Sequence, residues 1–244
     1  MGTRSRWTNG ILTFYDDITF ETVRPVAPVY FYDDFLGYQL MLSETGSTGQ
    51  WEDTITTTLG APTIALVADG ANGQAALTIA NSNEIEGTVL SFADQRQFVL
   101  TQGCIFEARI NLAVLPIAGE KMVWGLAGDT NVDPDAITYS IWFAAAASGA
   151  VVCETDDNAT PADGVTSGTT LVNTDWAIFK IDCTDVTDIR FYINGEHVAP
   201  ATTFAYAATG ANATLQPYFA CYKASGVGTA TLKVDYVRVW QKRS

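Results

Sequence analysis

The sequence predicts an all-β sandwich of two antiparallel sheets. Thr, Val, Ile, Phe, Tyr and Trp recur in short runs, and Gly, Asn and Asp separate these runs. No helical periodicity is sustained along the chain. With 244 residues, the chain is long enough to bury the core of one large β-domain. Many short strands with turns between them are typical of a sandwich.

The strand pattern begins after Pro28 and recurs at short intervals. Its most regular segment is 104–112, where Glu107 and Arg109 share one parity and Phe106 and Ile110 share the other. Asn194-Gly195 predicts a two-residue hairpin turn, and small polar residues predict loops at 156–168 and 207–213. The predicted strands are 30–35, 61–67, 75–80, 87–92, 98–100, 104–112, 122–126, 136–143, 150–154, 176–182, 188–193, 216–223 and 229–241.

Residues 1–28 differ from the rest and form a predicted N-terminal arm, which leaves 29–244 as the sandwich domain. The arm has a high aromatic content and ends in the stiff Pro25–Pro28 segment, which predicts a linker. We expect either an extended arm or a small hairpin around Asp16-Asp17. The arm residues expected to bind a partner are Arg4, Arg6, Trp7, Ile11, Phe14, Tyr15 and Phe20.

The formal net charge of −14 argues against nucleic-acid binding, which needs a basic surface. No apolar run approaches the length that spans a membrane, and we expect no signal peptide because no apolar segment follows Arg4 and Arg6. The cysteines are widely spaced and form no Cys-x-x-Cys pair, so we expect free buried thiols rather than zinc ligands.

Three segments carry a resemblance to a known family. They are 104–112 (Cys-Ile-Phe-Glu-Ala-Arg-Ile-Asn-Leu), 188–198 and the closing 234–240 (Val-Asp-Tyr-Val-Arg-Val-Trp). In this order they resemble the laminarinase-like members of glycoside hydrolase family 16. The resemblance implies a concanavalin A-like jelly roll over 29–244, preceded here by the extended N-terminal arm.

The catalytic motif of that family is absent from this chain. Family members carry a Glu-x-Asp-x-x-Glu or Glu-x-Asp-x-Glu cluster after the first segment, whereas 124–135 here reads Trp-Gly-Leu-Ala-Gly-Asp-Thr-Asn-Val-Asp-Pro-Asp. Retaining glycosidases need two carboxyl groups about 5 Å apart. Glu107 lies beside Arg109 on one face, which is more typical of a structural ion pair. We therefore predict no catalytic residues and no enzymatic activity.

Two sets of oxygen-bearing side chains are candidate calcium ligands. The first is the alternating series Asp129, Asn131, Asp133 and Asp135, which turn formation explains equally well. The second follows from the family resemblance, which places a structural calcium between the opening segment and the last strand, at Asp34 and Asp235. No other cofactor is expected.

Aromatic side chains are candidates for stacking on sugar rings. Trp51, Trp124, Tyr139 and Trp142 are the candidates, although each alternates with apolar neighbours and so also fits a core position. Sequence alone leaves both readings open.

A second resemblance lies at the N-terminus. Residues 6–16 (Arg-Trp-Thr-Asn-Gly-Ile-Leu-Thr-Phe-Tyr-Asp), followed by Glu21-Thr22-Val23, resemble the opening of tailed-phage virion proteins. Residues 68–73, 83–86 and 92–96 resemble phage structural proteins of the jelly-roll type. The resemblance implies a capsid decoration or auxiliary head protein, made in the host cytoplasm and located on the virion.

These observations lead to one expected function and two alternatives. We expect a non-enzymatic virion protein that attaches through its arm to the major capsid protein or another shell protein, with adhesion to host-surface glycans as a second role. The alternatives are a lectin-like carbohydrate-binding module and a divergent glycan hydrolase or lyase. Neither nucleic acid nor a membrane is an expected partner, and the oligomeric state is left open, with a homo-oligomer compatible.

Overall fold

Two antiparallel sheets face each other in a computed structural model, which describes residues 2–37, 50–159 and 161–243. The strands are β1 Thr3–Thr8, β2 Ile11–Asp16, β3 Thr22–Val26, β4 Val29–Asp33, β5 Glu52–Thr57, β6 Thr63–Leu66, β7 Ala75–Ile79, β8 Glu86–Ser91, β9 Phe98–Val99, β10 Cys104–Val114, β11 Glu120–Ala127, β12 Ser140–Ala146, β13 Ala150–Asp156, β14 Ala162–Thr170, β15 Ala177–Cys183, β16 Arg190–Ile193, β17 Glu196–Val198, β18 Thr214–Lys223 and β19 Ala230–Gln241. This arrangement confirms the predicted sandwich.

The first sheet has the order β17-β16-β15-β10-β19-β7-β6, and β4 also pairs with β19. The second sheet has the order β14-β13-β12-β11-β18-β8-β5, and β9 also pairs with β18. Half of the neighbouring strand pairs in these orders are not consecutive in the chain, so long-range pairing joins the centre of each sheet. No helix in the described part of the chain is long and apolar enough to cross a membrane.

The core lies between the two sheets and follows from side-chain alternation along the strands. On β10, Phe106 and Ile110 point into the core, while Glu107 and Arg109 lie on the outer face of the first sheet, as the parity predicts. The Trp124 ring of β11 packs edge-on against Phe179, with ring centroids 4.9 Å apart. The cysteines of the described chain are buried free thiols, which confirms that prediction.

Two local predictions have different outcomes. Asn194 and Gly195 have φ angles of 48° and 80° and join β16 to β17, which confirms the predicted hairpin turn. The loop predicted for 156–168 is wrong, because β14 occupies most of it as the edge of the second sheet. Most β14 residues are exposed and none is fully buried, so its sequence lacks the apolar alternation of a covered strand.

The N-terminal segment folds back on the sandwich as a small sheet of its own, with the order β1-β2-β3. This corresponds to the hairpin alternative, with one further strand. Ile11 packs with Ile105 and Trp240 on the outer face of the first sheet. Pro25, expected in a linker, lies in β3 and is buried.

Candidate functional site

The outer face of the second sheet carries an apolar strip that belongs to a separate cluster from the main core. It arises because β11, β12 and β18 alternate between the core and this face. The rings of Trp142 and Tyr218 lie 5.9 Å apart, on either side of Gly125, which pairs with both residues. The strip consists of Val89, Val123, Ala127, Ile137, Trp142, Ala144, Tyr218 and Ala220.

The segment between β11 and β12 covers part of this strip. The Tyr218 hydroxyl donates a hydrogen bond to the Asn131 carbonyl oxygen at 2.8 Å. A Cβ atom placed on Gly87 would come within 2.5 Å of Val132 Cγ2, so the segment rests directly on β8. We call residues 128–139 the covering loop.

A groove of about 320 Å³ opens beside the covering loop. Carboxylates from the covering loop, β13 and β14 converge there on the ammonium group of Lys121 and the indole of Trp142. The surface of the groove is therefore rich in hydrogen-bond acceptors. We call it the acidic groove, and its residues are Lys121, Pro134, Asp135, Ile137, Ser140, Trp142, Glu154, Asp156 and Asp163.

The Glu154 carboxylate is held at the base of the acidic groove. Its Oε2 atom accepts hydrogen bonds from Trp142 Nε1 at 2.8 Å and from Lys121 Nζ at 3.1 Å. Lys121 also bonds Asp135 Oδ1 at 2.5 Å, which ties the covering loop to the sheet. Burial by itself would lower the pKa of Lys121, but Glu154 and Asp135 outweigh it and raise that pKa. The ammonium group is therefore firmly charged.

Asp163 stands at the exposed rim of the acidic groove. Partial burial and then the nearby charges of Glu154 and Asp156 raise its pKa. Three carboxylates thus crowd one wall, with Lys121 facing them from β11. Such a wall attracts hydroxyl and amine donors and repels anions.

The acidic groove was missed at the level of sequence. Glu154 and Asp156 are two residues apart on β13, so they share a face of the second sheet. That spacing was the available signal. The family resemblance predicts paired acids directly after 104–112, a region that ends before β13.

The candidate aromatic residues have separate outcomes. Trp51 and Trp124 are wrong as sugar-stacking residues, because both have 0% exposure and pack within the core. Tyr139 is half-buried and packs against the same core. Trp142 lines the acidic groove, although this residue is only 2% exposed. Its indole N–H donates a hydrogen bond to Glu154 Oε2.

The aspartate series lies in the covering loop and is engaged in local contacts. Asp129 forms an ion pair with Arg96 at 3.3 Å. Asn131 Oδ1 and Asp133 Oδ1 each accept a backbone N–H two residues further on, at 3.1 and 3.0 Å. These are the turn contacts that explain such residues without a metal. Within residues 2–37, 50–159 and 161–243, no group of three or more His, Cys, Asp or Glu side chains is placed to hold a metal ion.

Asp34 and Asp235 line one cavity of about 370 Å³ on the outer side of the first sheet. Asp235 Oδ2 accepts from Arg109 Nη1 at 2.6 Å, while its Oδ1 is buried with no hydrogen-bond partner among residues 2–37, 50–159 and 161–243. Burial raises the pKa of Asp235, and Arg109 partly opposes this rise. These residues fit a calcium ion in part: one carboxylate oxygen is unpaired, but Arg109 already neutralises the other.

The predicted pairing of Glu107 with Arg109 is wrong. Arg109 pairs with Asp235, and Glu107 Oε1 lies 3.5 Å from Arg238 Nη1. Neighbours along one face of a strand are farther apart than neighbours across strands, and the cross-strand partners form the pairs here.

The predicted arm residues divide by strand parity. Trp7 lies opposite Leu12, and Leu12 lies opposite Val26, so these side chains form a row on the outward face of the N-terminal sheet. Phe14 shares that face with the row. Arg4, Arg6, Ile11 and Tyr15 have the opposite parity and face the sandwich. Ile11 is 2% exposed, so the partner contact expected of it is wrong. Phe20 is exposed and lies over the turn at Gly195.

This chain resembles known proteins in its fold alone. No protein-family model matches the chain, and no curated protein sequence matches it. Among solved structures, a native glycosidic hydrolase is similar at a TM-score of 0.54 and 13% identity, over 88% of this chain and 97% of that one. A putative beta-glucanase from Mycobacterium abscessus is similar at 0.52 and 17% identity, over 86% and 99%. The carbohydrate recognition domain of Emp47p is similar at 0.51 and 7% identity, over 84% and 94%. The fold of this chain is therefore a jelly roll similar to those of lectin-like domains and glycosidases.

Proposed function

We propose that this chain is a non-enzymatic carbohydrate-binding module and that the acidic groove is its binding site. The observation that carries the proposal is the fixed array of Glu154, Trp142 and Lys121 with the rim carboxylates above it. Sugar hydroxyl groups are hydrogen-bond donors, and carboxylate oxygens held in place are good acceptors for them. The neighbouring folds named as glycosidases and as a carbohydrate recognition domain agree with this class of ligand.

Binding without hydrolysis is the better match to this geometry. Glycoside hydrolysis requires one carboxyl group to donate a proton to the leaving group while the other attacks or activates water. Glu154 Oε2 is already bonded to Trp142 and Lys121, so it serves as an anchored acceptor. The hydrolase alternative would assign the proton donor to Asp163, whose pKa is raised.

The test is calorimetric titration with neutral β-glucan oligosaccharides and with chitosan oligosaccharides. Asp163→Asn should weaken binding about tenfold, which corresponds to about 1.4 kcal/mol. Asp188→Asn is the matched control, because Asp188 is an exposed carboxylate paired with Arg190 outside the groove. Absence of binding by the original chain, or equal weakening in both variants, would contradict the proposal. Release of reducing sugar that Asp163→Asn abolishes would support the hydrolase alternative instead.

A second candidate function is a structural role on a phage particle. It is favoured by the outward row of Trp7, Leu12 and Val26, which leaves apolar side chains of the N-terminal sheet uncovered. Trp7 is 72% and Val26 is 59% exposed. Among the residues that the structure describes, β1 pairs only with β2, and its other edge offers main-chain groups for pairing with a strand of a shell protein.

The attachment surface is tested with substitutions that leave the fold intact. A chain carrying Trp7→Ser and Val26→Ser should be lost from purified particles, as measured by mass spectrometry of virions. Ile18→Ser is the control, since Ile18 is 67% exposed but lies in the turn between β2 and β3. Full occupancy by the double variant would reject attachment through this row.

A structural calcium ion at Asp34 and Asp235 is a separate proposal. It is supported by the unpaired Asp235 Oδ1 in the cavity that both residues line. Chelation should lower the melting temperature, because an ion that binds the folded state stabilises it by mass action. The shift should disappear in Asp34→Asn, and an identical melting curve with and without chelator would exclude the ion.

A further inference from the structure

A narrow cavity of about 140 Å³ lies between the N-terminal sheet and the first sheet. The N-terminal sheet contributes Arg6, Tyr15 and Phe20, and the sandwich contributes the remaining walls. This cavity is distinct from the acidic groove, which lies on the second sheet. The sandwich residues that line it are Glu107, Ile178, Lys180, Tyr192 and Gly195.

Lys180 is the group that lacks a partner there. It lies on β15, is only 9% exposed and has no hydrogen bond or ion pair within residues 2–37, 50–159 and 161–243. Its ammonium lies 5.5 Å from the centre of the Tyr192 ring, which is a weak contact for a buried charge. An ammonium removed from water is unfavourable unless it is paired.

The nearest carboxylate does not satisfy Lys180. Glu107 sits opposite Lys180 across β10 and β15, but Thr22, Tyr236 and Arg238 already surround its two oxygens. Burial and then Arg6 lower the pKa of Lys180, while Asp182 and Glu107 only partly raise it. The carboxylates near Lys180 therefore do not balance the positive charge of its ammonium group.

Arg6 brings a second cation to the same cavity from the other sheet. Its guanidinium lies 5.0 Å from the centre of the Tyr15 ring and forms no ion pair within the described chain. Arg6 and Lys180 belong to two layers that must pack together, and their like charges oppose that packing.

We propose that this cavity binds a small oxyanion, held between Lys180 of the sandwich and Arg6 of the N-terminal sheet. Arginine and lysine donors on two sides suit the oxygens of phosphate, sulfate or a carboxylate. A volume of about 140 Å³ admits several water-sized groups and hence one such ion. The bound anion would convert a repulsion between the two layers into a bridge that fastens the N-terminal sheet.

The test measures melting temperature in phosphate, sulfate and acetate against chloride at equal ionic strength. Phosphate or sulfate should raise the melting temperature of the original chain by about 2–4 °C relative to chloride. A rise with acetate alone would assign the site to carboxylates. The rise should be lost in Lys180→Met, which keeps the apolar stem, and in Arg6→Gln, which alters an exposed residue.

Arg4→Gln is the matched control, because Arg4 lies on the same strand and face but pairs with Asp17 and does not line the cavity. It should keep the full response. If Lys180→Met does not fold, two other measurements test the proposal. Arg6→Gln should lose the melting response, and phosphate should protect Lys180 of the original chain from reductive methylation. Equal melting temperatures in every salt, or a response that survives in Arg6→Gln, would overturn the proposal.

Discussion

Thr22 donates two hydrogen bonds to the buried carboxylate of Glu107, one from its backbone N–H to Oε1 at 3.0 Å and one from its hydroxyl to Oε2 at 2.5 Å. The two residues are 85 positions apart in the chain. Tyr236 adds a hydroxyl donor to Oε1 at 3.2 Å. The N-terminal sheet thus adds two donors to a buried carboxylate that Tyr236 of the first sheet also contacts.

The first prediction follows from this contact. Thr22→Val keeps the shape and the backbone donor but removes the hydroxyl from Glu107 Oε2. Because a buried charged acceptor loses a donor, the free energy of unfolding should fall by about 1–3 kcal/mol, as measured by denaturant titration. Thr3→Val, at an exposed position on β1, should change it by less than about 0.5 kcal/mol. Equal effects would show that the contact contributes nothing.

The second prediction concerns Lys223, whose ammonium is completely buried. It donates to the carbonyl oxygens of Ala80, Ser82 and Gly228 and lies 3.5 Å from Glu86 Oε2. Lys223→Met leaves Glu86 buried without its cation, so we expect a loss of about 3–5 kcal/mol in the free energy of unfolding.

The matched substitution is Lys233→Met on β19, a half-buried lysine that makes no hydrogen bond or ion pair within the described residues, and it should change stability little. Adding Glu86→Gln to Lys223→Met should recover part of the loss, because the uncompensated charge disappears. A loss of less than about 1 kcal/mol for Lys223→Met would refute the burial argument.

The sandwich could be predicted because its signals are local. The alternation of 104–112 and the Asn194-Gly195 turn specify strand faces and a hairpin from neighbouring residues alone. The acidic groove could not be predicted in the same way. It brings Lys121 of β11 to Glu154 of β13 and Asp135 of the covering loop, and this convergence depends on strand order.

The fate of the N-terminal segment could not be predicted for a related reason. Its aromatic and apolar content shows that it packs against something, but composition does not say whether the surface belongs to the same chain. The structure divides the segment by parity, with Ile11 buried on the sandwich and Trp7 exposed. Only the position of the sheet relative to Ile105 and Trp240 decides which parity is covered.

The third prediction concerns proton binding in the acidic groove. Partial burial and the charges of Glu154 and Asp156 raise the pKa of Asp163, so Glu154→Gln should lower it toward its ordinary value. Carboxyl chemical shifts followed through a pH titration measure this directly. Asp188→Asn, outside the groove, should leave the titration of Asp163 unchanged.

The sign of the stability effect follows from the same shift. Asp163 holds its proton more tightly in the folded chain than in the unfolded chain, so its contribution to stability falls as pH rises from below the ordinary value of 3.8 through the raised value. The Asp163→Asn variant should lack the part of this pH-dependent decrease in stability that comes from Asp163. An Asp163 pKa at or below its ordinary value would contradict the crowding of carboxylates in the acidic groove.

The fourth prediction concerns removal of the N-terminal segment. If residues 1–28 were a separate arm, a chain starting at Val29 would melt like the full chain. The structure argues otherwise. Deletion takes Ile11 from its cluster with Ile105 and Trp240, takes both donors of Thr22 from Glu107, and frees Arg238 from Glu21, to which it donates at 2.9 Å.

Burial of one isoleucine side chain contributes about 1.5–3 kcal/mol, and each hydrogen bond to a charged group about as much again. We therefore expect the melting temperature of the truncated chain to fall by about 10 °C or more, measured by calorimetry in one buffer. The full chain with Trp7→Ser and Val26→Ser should melt within about 2 °C of the original, because those side chains face outward. A truncated chain that melts at the original temperature would show that the N-terminal sheet does not stabilise the sandwich.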